Sequence, residues 1–169
     1  MLRLFAKTFK TGVVTERIKR PKEDELEQLG IEVKRHIDKY FSGSLAIRAV
    51  DAGSCNGCEL EIHALNNPVY DVERYGIHFV ASPRHADVLL VTGGVSRHMQ
   101  TALLRTYEAT PHPKWVVVVG DCAACGGEFG VSYASCGAVE NVIPVDLVIK
   151  GCPPTPEILV KGLLSLMKK

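Results

Sequence analysis

The run Trp115 to Val119, WVVVV, sets the strongest limit on the fold. It is too short for a helix and shows no alternation of apolar and polar residues. It therefore reads as a strand buried on both faces, the pattern of a parallel sheet covered by helices on each side. Segments 44–50 (SLAIRAV), 77–81 (IHFVA), 88–92 (VLLVT) and 147–149 (LVI) read the same way. Between them, 59–66, 98–107 and 156–166 read as helices, so strand and helix alternate along the chain. That alternation predicts an α/β fold, a doubly wound, flavodoxin-like parallel sheet with right-handed crossovers and an N-terminal helical arm.

The chain has 169 residues, 46% of them hydrophobic, which suits one globular domain and is too apolar for a disordered chain. Its charges nearly cancel, 20 Lys and Arg against 19 Asp and Glu, but unevenly. Residues 1–22 hold seven basic side chains against Glu16, a net of +6, and leave −5 for the rest. The expected division is a basic, amphipathic helical arm over 1–43 and an α/β domain over 44–169. Within the arm Leu2, Phe5, Ala6, Phe9 and Val13 fall on one helical face, with Lys7 and Lys10 away from it. Such a helix suits an anionic lipid surface or a membrane subunit, and equally a basic face packed on a partner or on the chain's own domain. A second helix follows Pro21, marked by Leu26, Leu29, Val33, Ile37, Tyr40 and Phe41, with Gly30 a soft spot and Ser42-Gly43 its stop.

No apolar run approaches the roughly 20 residues of a membrane-spanning helix, and the first residues lack the apolar core of a secretory signal. The expectation is a soluble chain in reducing surroundings, where cysteines bind metal or do chemistry rather than bridge. Phosphate-loop and dinucleotide glycine motifs are absent, as is any basic-aromatic nucleic-acid motif, so nucleic acid is not an expected partner.

Five of the six cysteines lie just beyond strand ends. Cys55 and Cys58 follow the first strand, Cys122 and Cys125 follow WVVVV, Cys152 follows 147–149, and Cys136 stands apart. In an open parallel sheet the loops at the carboxyl ends of the strands line the binding crevice. Three loops distant in sequence should thus bring thiols to one edge. Two metal readings compete. Cys55, Cys58, Cys122 and Cys125 form a C-x-x-C…C-x-x-C set of the kind that holds a structural zinc. Cys55, Cys58, Cys122 and Cys152 would instead hold an iron-sulfur cube through four thiolates. The 63 residues between the two C-x-x-C pairs exceed the spacing of about 15 to 20 usual for zinc. A thioredoxin-like dithiol at Cys55 and Cys58 would leave Cys122 and Cys152 unused. Gly53, Gly57, Gly120, Gly126, Gly127 and Gly151 crowd around the thiols, as close backbone approach to a bulky centre requires. Pro153-Pro154 stiffens the last loop.

Four motifs in order carry a family resemblance: SCNGCELEI over 54–62, SPRHAD over 82–87, Gly120-Asp121-Cys122 with Gly126-Gly127, and IPVD over 143–146 followed by Gly151-Cys152-Pro153-Pro154. Through them residues 44–166 resemble the small subunit of nickel-iron hydrogenases, more narrowly the membrane-bound, energy-converting and formate-hydrogenlyase type related to the 20 kDa subunit of respiratory complex I. The resemblance implies that Cys55, Cys58, Cys122 and Cys152 bind one 4Fe-4S cluster. That cluster would relay electrons between a ferredoxin-like 4Fe-4S subunit and a NiFe centre in a separate hydrogenase large subunit. It also implies an oxidoreductase subunit with no catalytic residue of its own, peripheral on the cytoplasmic side of the membrane, its arm reaching membrane subunits. The C-x-x-C spacing departs from the complex I relative, whose first two ligands are adjacent, and favours the hydrogenase side. A complex I-like quinone oxidoreductase or a nickel-free relative is the alternative within electron transfer. A zinc-stabilised binding module is the alternative outside it.

Cys125 and Cys136 fall outside the implied ligand positions and read as small, partly buried thiols. Glu59, Arg84 and His85 are candidates for a partner interface, with the plainer reading that Arg84 caps a strand or helix end and Glu59 favours a helix N-terminus. Glu61 has the same plain reading as Glu59, and His63 reads as an ordinary surface or core histidine.

Overall fold

The computed structural model describes residues 7, 9–11 and 23–168. Five parallel strands form the central sheet: β1 (Leu45–Asp51), β2 (Ile77–Phe79), β3 (Val88–Thr92), β5 (Trp115–Val119) and β7 (Leu147–Ile149), in the order β2-β1-β3-β5-β7. A two-stranded antiparallel ribbon, β4 (Val95–Ser96) with β6 (Ser135–Gly137), stands apart from it. The helices are α1 (Glu23–Tyr40), α2 (Gly57–Ala64), α3 (Arg97–Ala109), α4 (Asp121–Cys125) and α5 (Pro156–Met167). This is the doubly wound arrangement that the strand-helix alternation predicts.

The apolar runs are continuous because both faces of each inner strand are covered. On β3, Val88 and Leu90 join one core while Leu89 and Val91 join the other; on β5, Val117 and Val119 face the first and Val116 and Val118 the second. The first core is closed by α1, α2 and α5 through Val33, Ile37, Ile62, Leu159 and Leu163, and the second by α3 and α4 through Leu103 and Ala123. Two layers of helix on one sheet leave its interior no polar face, which is why period-2 alternation is missing.

Helix α1 belongs to this packing. Val33 and Ile37 are fully buried, and Phe41 sets its ring edge-on against Trp115 at 5.4 Å. Gly30 is here a contact point: a Cβ would meet the Tyr75 ring at 2.1 Å, so the missing side chain lets that ring lie on the helix. The apolar stripe of residues 2–13 lies largely outside the described residues. Of its neighbourhood Lys7, Phe9, Lys10 and Thr11 are described, all exposed, Phe9 at 87%. Among the described residues no helix is long and apolar enough to cross a membrane.

Two of the motif aspartates explain themselves in the sheet. Asp87, ending SPRHAD, donates its N–H to the Ala46 carbonyl at 2.8 Å and accepts the Ala46 N–H on Oδ2 at 2.9 Å. Asp146, ending IPVD, makes the same reciprocal pair with Val116, at 2.9 and 2.8 Å. Each extends the ladder where a strand begins, satisfying backbone groups that a parallel edge would leave open.

Candidate metal centre

Strand register builds the site. Asp51 lies opposite Thr92, Thr92 opposite Val119 and Val119 opposite Ile149, so β1, β3, β5 and β7 end level with one another. Each end leads into a short, glycine-containing turn. Cys55 comes four residues after Asp51, Cys122 three after Val119 and Cys152 three after Ile149, while β3 continues into Gly93-Gly94. The neighbours β1 and β3 lead away to opposite sides of the sheet order, the switch point at which open α/β sheets bind their ligands.

The result is a cleft of about 480 Å³ lined by Cys55, Cys58, Cys122 and Cys152 with walls that include Gly53, Gly93, Gly94 and Gly151. Cys55 and Cys152 are exposed, Cys58 and Cys122 half-buried. Two glycines back the inner thiols. A Cβ on Gly120 would lie 2.6 Å from Cys58 Sγ, and one on Gly127 would lie 2.8 Å from Cys122 Sγ; both glycines have positive φ, 88° and 57°. Only a residue without a side chain holds that backbone and leaves room for those sulfurs. The loop before Cys55 is shaped by Asp51, whose Oδ1 accepts the N–H of Gly53 and of Ser54, each at 2.8 Å. The backbone then turns through Asn56 at φ 70° into α2.

Burial pushes the Cys58 thiol up to about 11, helped by the Glu59 carboxylate and then by Cys55, Cys122 and Cys152. Burial also raises Cys122, with Cys152 and Cys55 next among the causes. Negative charge on Cys55, Cys122 and Cys152 thus weighs against a Cys58 thiolate, and negative charge on Cys152 and Cys55 against a Cys122 thiolate. A donor set of this kind fits a cationic centre, which reverses the penalty and takes thiolates as ligands.

Cys125 does not line the cleft; it is exposed and its Sγ donates to the Asp121 carbonyl at 3.1 Å. Cys136 is buried on β6, its Sγ donating to Gln100 Oε1 at 3.4 Å. The grouping in the structure thus takes Cys152 and leaves out Cys125. Among the described residues no three Cys, His, Asp or Glu side chains are drawn together to hold a single metal ion.

Arg84 and His85 lie exposed in the turn 83–85 before β3, capped by Ser82 Oγ, which accepts the Arg84 N–H at 3.4 Å; neither lines the cysteine cleft. Glu59 turns its carboxylate inward. Both oxygens are buried without a hydrogen-bond partner beside a second cavity of about 460 Å³ that Arg48 and His63 also line. Sequence reasoning missed Gly93-Gly94, Ser96, Ser135 and Phe129 as cleft residues. A signal for the glycines exists, since VLLVT runs straight into Gly93-Gly94 at a strand end. The ribbon β4–β6, which brings Ser96 and Ser135 to the cleft, is only two and three residues long and has no periodicity to read.

Comparison with known proteins identifies the family. A family model for the NADH ubiquinone oxidoreductase 20 kDa subunit matches residues 55–166. The chain is 44% identical over 130 residues to formate hydrogenlyase subunit 7 of Escherichia coli, covering 77% of this chain and 51% of that one, so it spans about half the length of that relative. It is 42% identical over 131 residues to a probable membrane-bound hydrogenase subunit of Pyrococcus furiosus, covering 78% of each. With an NADH-quinone oxidoreductase subunit of Herpetosiphon aurantiacus it shares 46% identity over 113 residues, 66% of this chain and 63% of that one. Among solved structures, a chain of a membrane-bound sulfane sulfur reductase, an archaeal respiratory membrane complex, superposes with a TM-score of 0.65 at 37% identity, over 74% of this chain and 69% of that one. With the match running from Cys55, the first thiol of the cleft, to Leu166 in α5, the chain belongs to the NADH ubiquinone oxidoreductase 20 kDa subunit family of oxidoreductase subunits.

Proposed function

We propose that this chain is the electron-transfer small subunit of a membrane-bound nickel-iron hydrogenase complex, holding one 4Fe-4S cluster on Cys55, Cys58, Cys122 and Cys152. The observation that carries the reading is the gathering of those four thiols, from three separate loops, around one glycine-walled cleft. When bound, the cluster supplies one-electron redox chemistry. The chain's residues hold it: Cys58 and Cys122 on the buried side against Gly120 and Gly127, Cys55 and Cys152 on the exposed side. The exposed rim suits electron exchange with a ferredoxin-like 4Fe-4S subunit and with a large subunit that carries the NiFe centre. Arg84 and His85, both exposed, are the candidates for subunit contacts; Glu59, its carboxylate turned inward, is the weakest of the three.

A second reading keeps the cluster and changes the partner. Likeness to a chain of a sulfane sulfur reductase complex supports a nickel-free relative whose large subunit serves another acceptor. The same chain tests the part common to both. Purified anaerobically, it is expected to contain about four irons and no zinc, and to give a low-temperature EPR signal on reduction. One zinc, no iron and no signal would establish the zinc module instead. Nickel-binding cysteines in the partner large subunit then separate hydrogenase from its relatives.

The basic segment is proposed to reach the membrane part of the complex, on the cytoplasmic side. Its +6 charge and the exposed Phe9, Lys7 and Lys10 support that placement. Deleting residues 1–20 is expected to release the rest of the complex from the membrane fraction with its iron content unchanged. Iron lost together with the segment would instead make it part of the cluster-binding fold.

A further inference from the structure

We infer that Asp121 is the positioning residue that ties the Cys122 loop to the Cys152 loop, an inference that rests on the cluster reading above. The Asp121 N–H donates to the Gly151 carbonyl at 3.0 Å, and Asp121 Oδ1 accepts the Gly151 N–H at 3.1 Å. This is the device that Asp87 and Asp146 use, one aspartate closing a two-bond ring with a neighbouring strand through its own N–H and carboxylate. Those two sit where strands begin. Asp121 sits at the opposite edge, one residue before Cys122, and its partner Gly151 is one residue before Cys152.

The position matters because the ladder between β5 and β7 ends here. The Gly120 N–H still reaches the Ile149 carbonyl at 2.8 Å, and beyond that the loops diverge into α4 and into the Pro153-Pro154 turn. Gly151 stands at φ 139°, with room for no side chain, since a Cβ would lie 2.8 Å from Pro154 Cα. The ring with Asp121 carries strand pairing one step further and fixes the spacing of two thiols that come from different loops. It needs an acceptor at Oδ1, which asparagine also offers through its amide oxygen.

The test uses the whole 169-residue chain, purified anaerobically, as D121A and D121N beside the parent. Amide exchange of the peptide carrying Gly151 reads the bond directly, and iron loss to a chelator reads its consequence. D121A is expected to exchange roughly three- to tenfold faster at Gly151, the protection that one net hydrogen bond supplies, and to lose iron faster by a similar factor. D121N is expected to behave as the parent in both. Parent-like exchange and iron retention in D121A would overturn the inference. So would D121N failing as D121A does, since charge rather than hydrogen-bond acceptance would then be what counts. If the parent itself holds no iron, the cluster reading fails, while exchange at Gly151 still judges the tie between the loops.

Discussion

Serine in place of any one of Cys55, Cys58, Cys122 or Cys152 is expected to abolish stable iron binding, whereas Cys125→Ser and Cys136→Ser keep it. Thiolates hold such clusters, and a serine hydroxyl in the same place offers neither the soft donor nor a readily lost proton. The four residues come from three loops that only the level strand ends bring together, and among the described residues no fifth thiol lines the cleft to replace a lost ligand. Cys125 is the one nearby thiol, and it is committed to the Asp121 carbonyl outside the cleft. Cys136 is buried against Gln100. The loss in affinity should exceed the roughly 10- to 100-fold that removal of an outer partner of a metal ligand costs. Iron per chain after anaerobic desalting measures it. If Cys125→Ser lost its iron while Cys152→Ser kept it, the ligand set would be the zinc-like one, and the four-thiol cleft would not be the metal centre.

The sheet and the convergence of thiols are legible in the sequence because they rest on short-range signals. VLLVT and WVVVV end where the structure ends them, and each is followed at once by glycine, so the carboxyl edge of the sheet can be located from the residues alone. That all four strand ends are level is a matter of pairing register, which no single segment encodes. Residues 23–40 show the limit from the other side. Their apolar stripe announces a helix, but a stripe names no partner, and the burial of Val33 and Ile37 with Leu159 and Leu163 depends on a helix more than 110 residues further on. Gly30 reads as a weakness by helix propensity, and only the Tyr75 ring shows why the position is empty. Asp121 stands in the Gly120-Asp121-Cys122 motif, but its tie to Gly151 is hidden for a related reason. An aspartate at the start of a turn is common, and its bond to Gly151 spans 30 residues.

Gly120→Ala is expected to cost both the cluster and a large part of the fold's stability, while Gly57→Ala, also beside a thiol, is expected to be tolerated. At Gly120 the backbone has φ 88°, where a side chain carries about 1–3 kcal/mol of strain. The new methyl would also stand 2.6 Å from Cys58 Sγ and 3.4 Å from the Gly151 carbonyl. The chain has little freedom to move away, because the Gly120 N–H is bound to Ile149 at 2.8 Å and its carbonyl accepts the Ala124 N–H at 3.1 Å. The sulfur must therefore give way, and forced packing of this kind costs about a further 1–3 kcal/mol. Together the two effects approach the whole stability of a marginal domain, about 5 kcal/mol at the low end. At Gly57 the nearest atoms to a Cβ are Cys55 Sγ at 3.5 Å and Pro153 at 3.9 Å, ordinary contacts at the first turn of α2. There the change should stay within about 0.5 kcal/mol. Thermal unfolding and iron content of the two variants, prepared side by side, decide the matter. A Gly120→Ala protein with full iron, beside a Gly57→Ala protein without it, would mean that the backbone behind Cys58 is not what shapes the site.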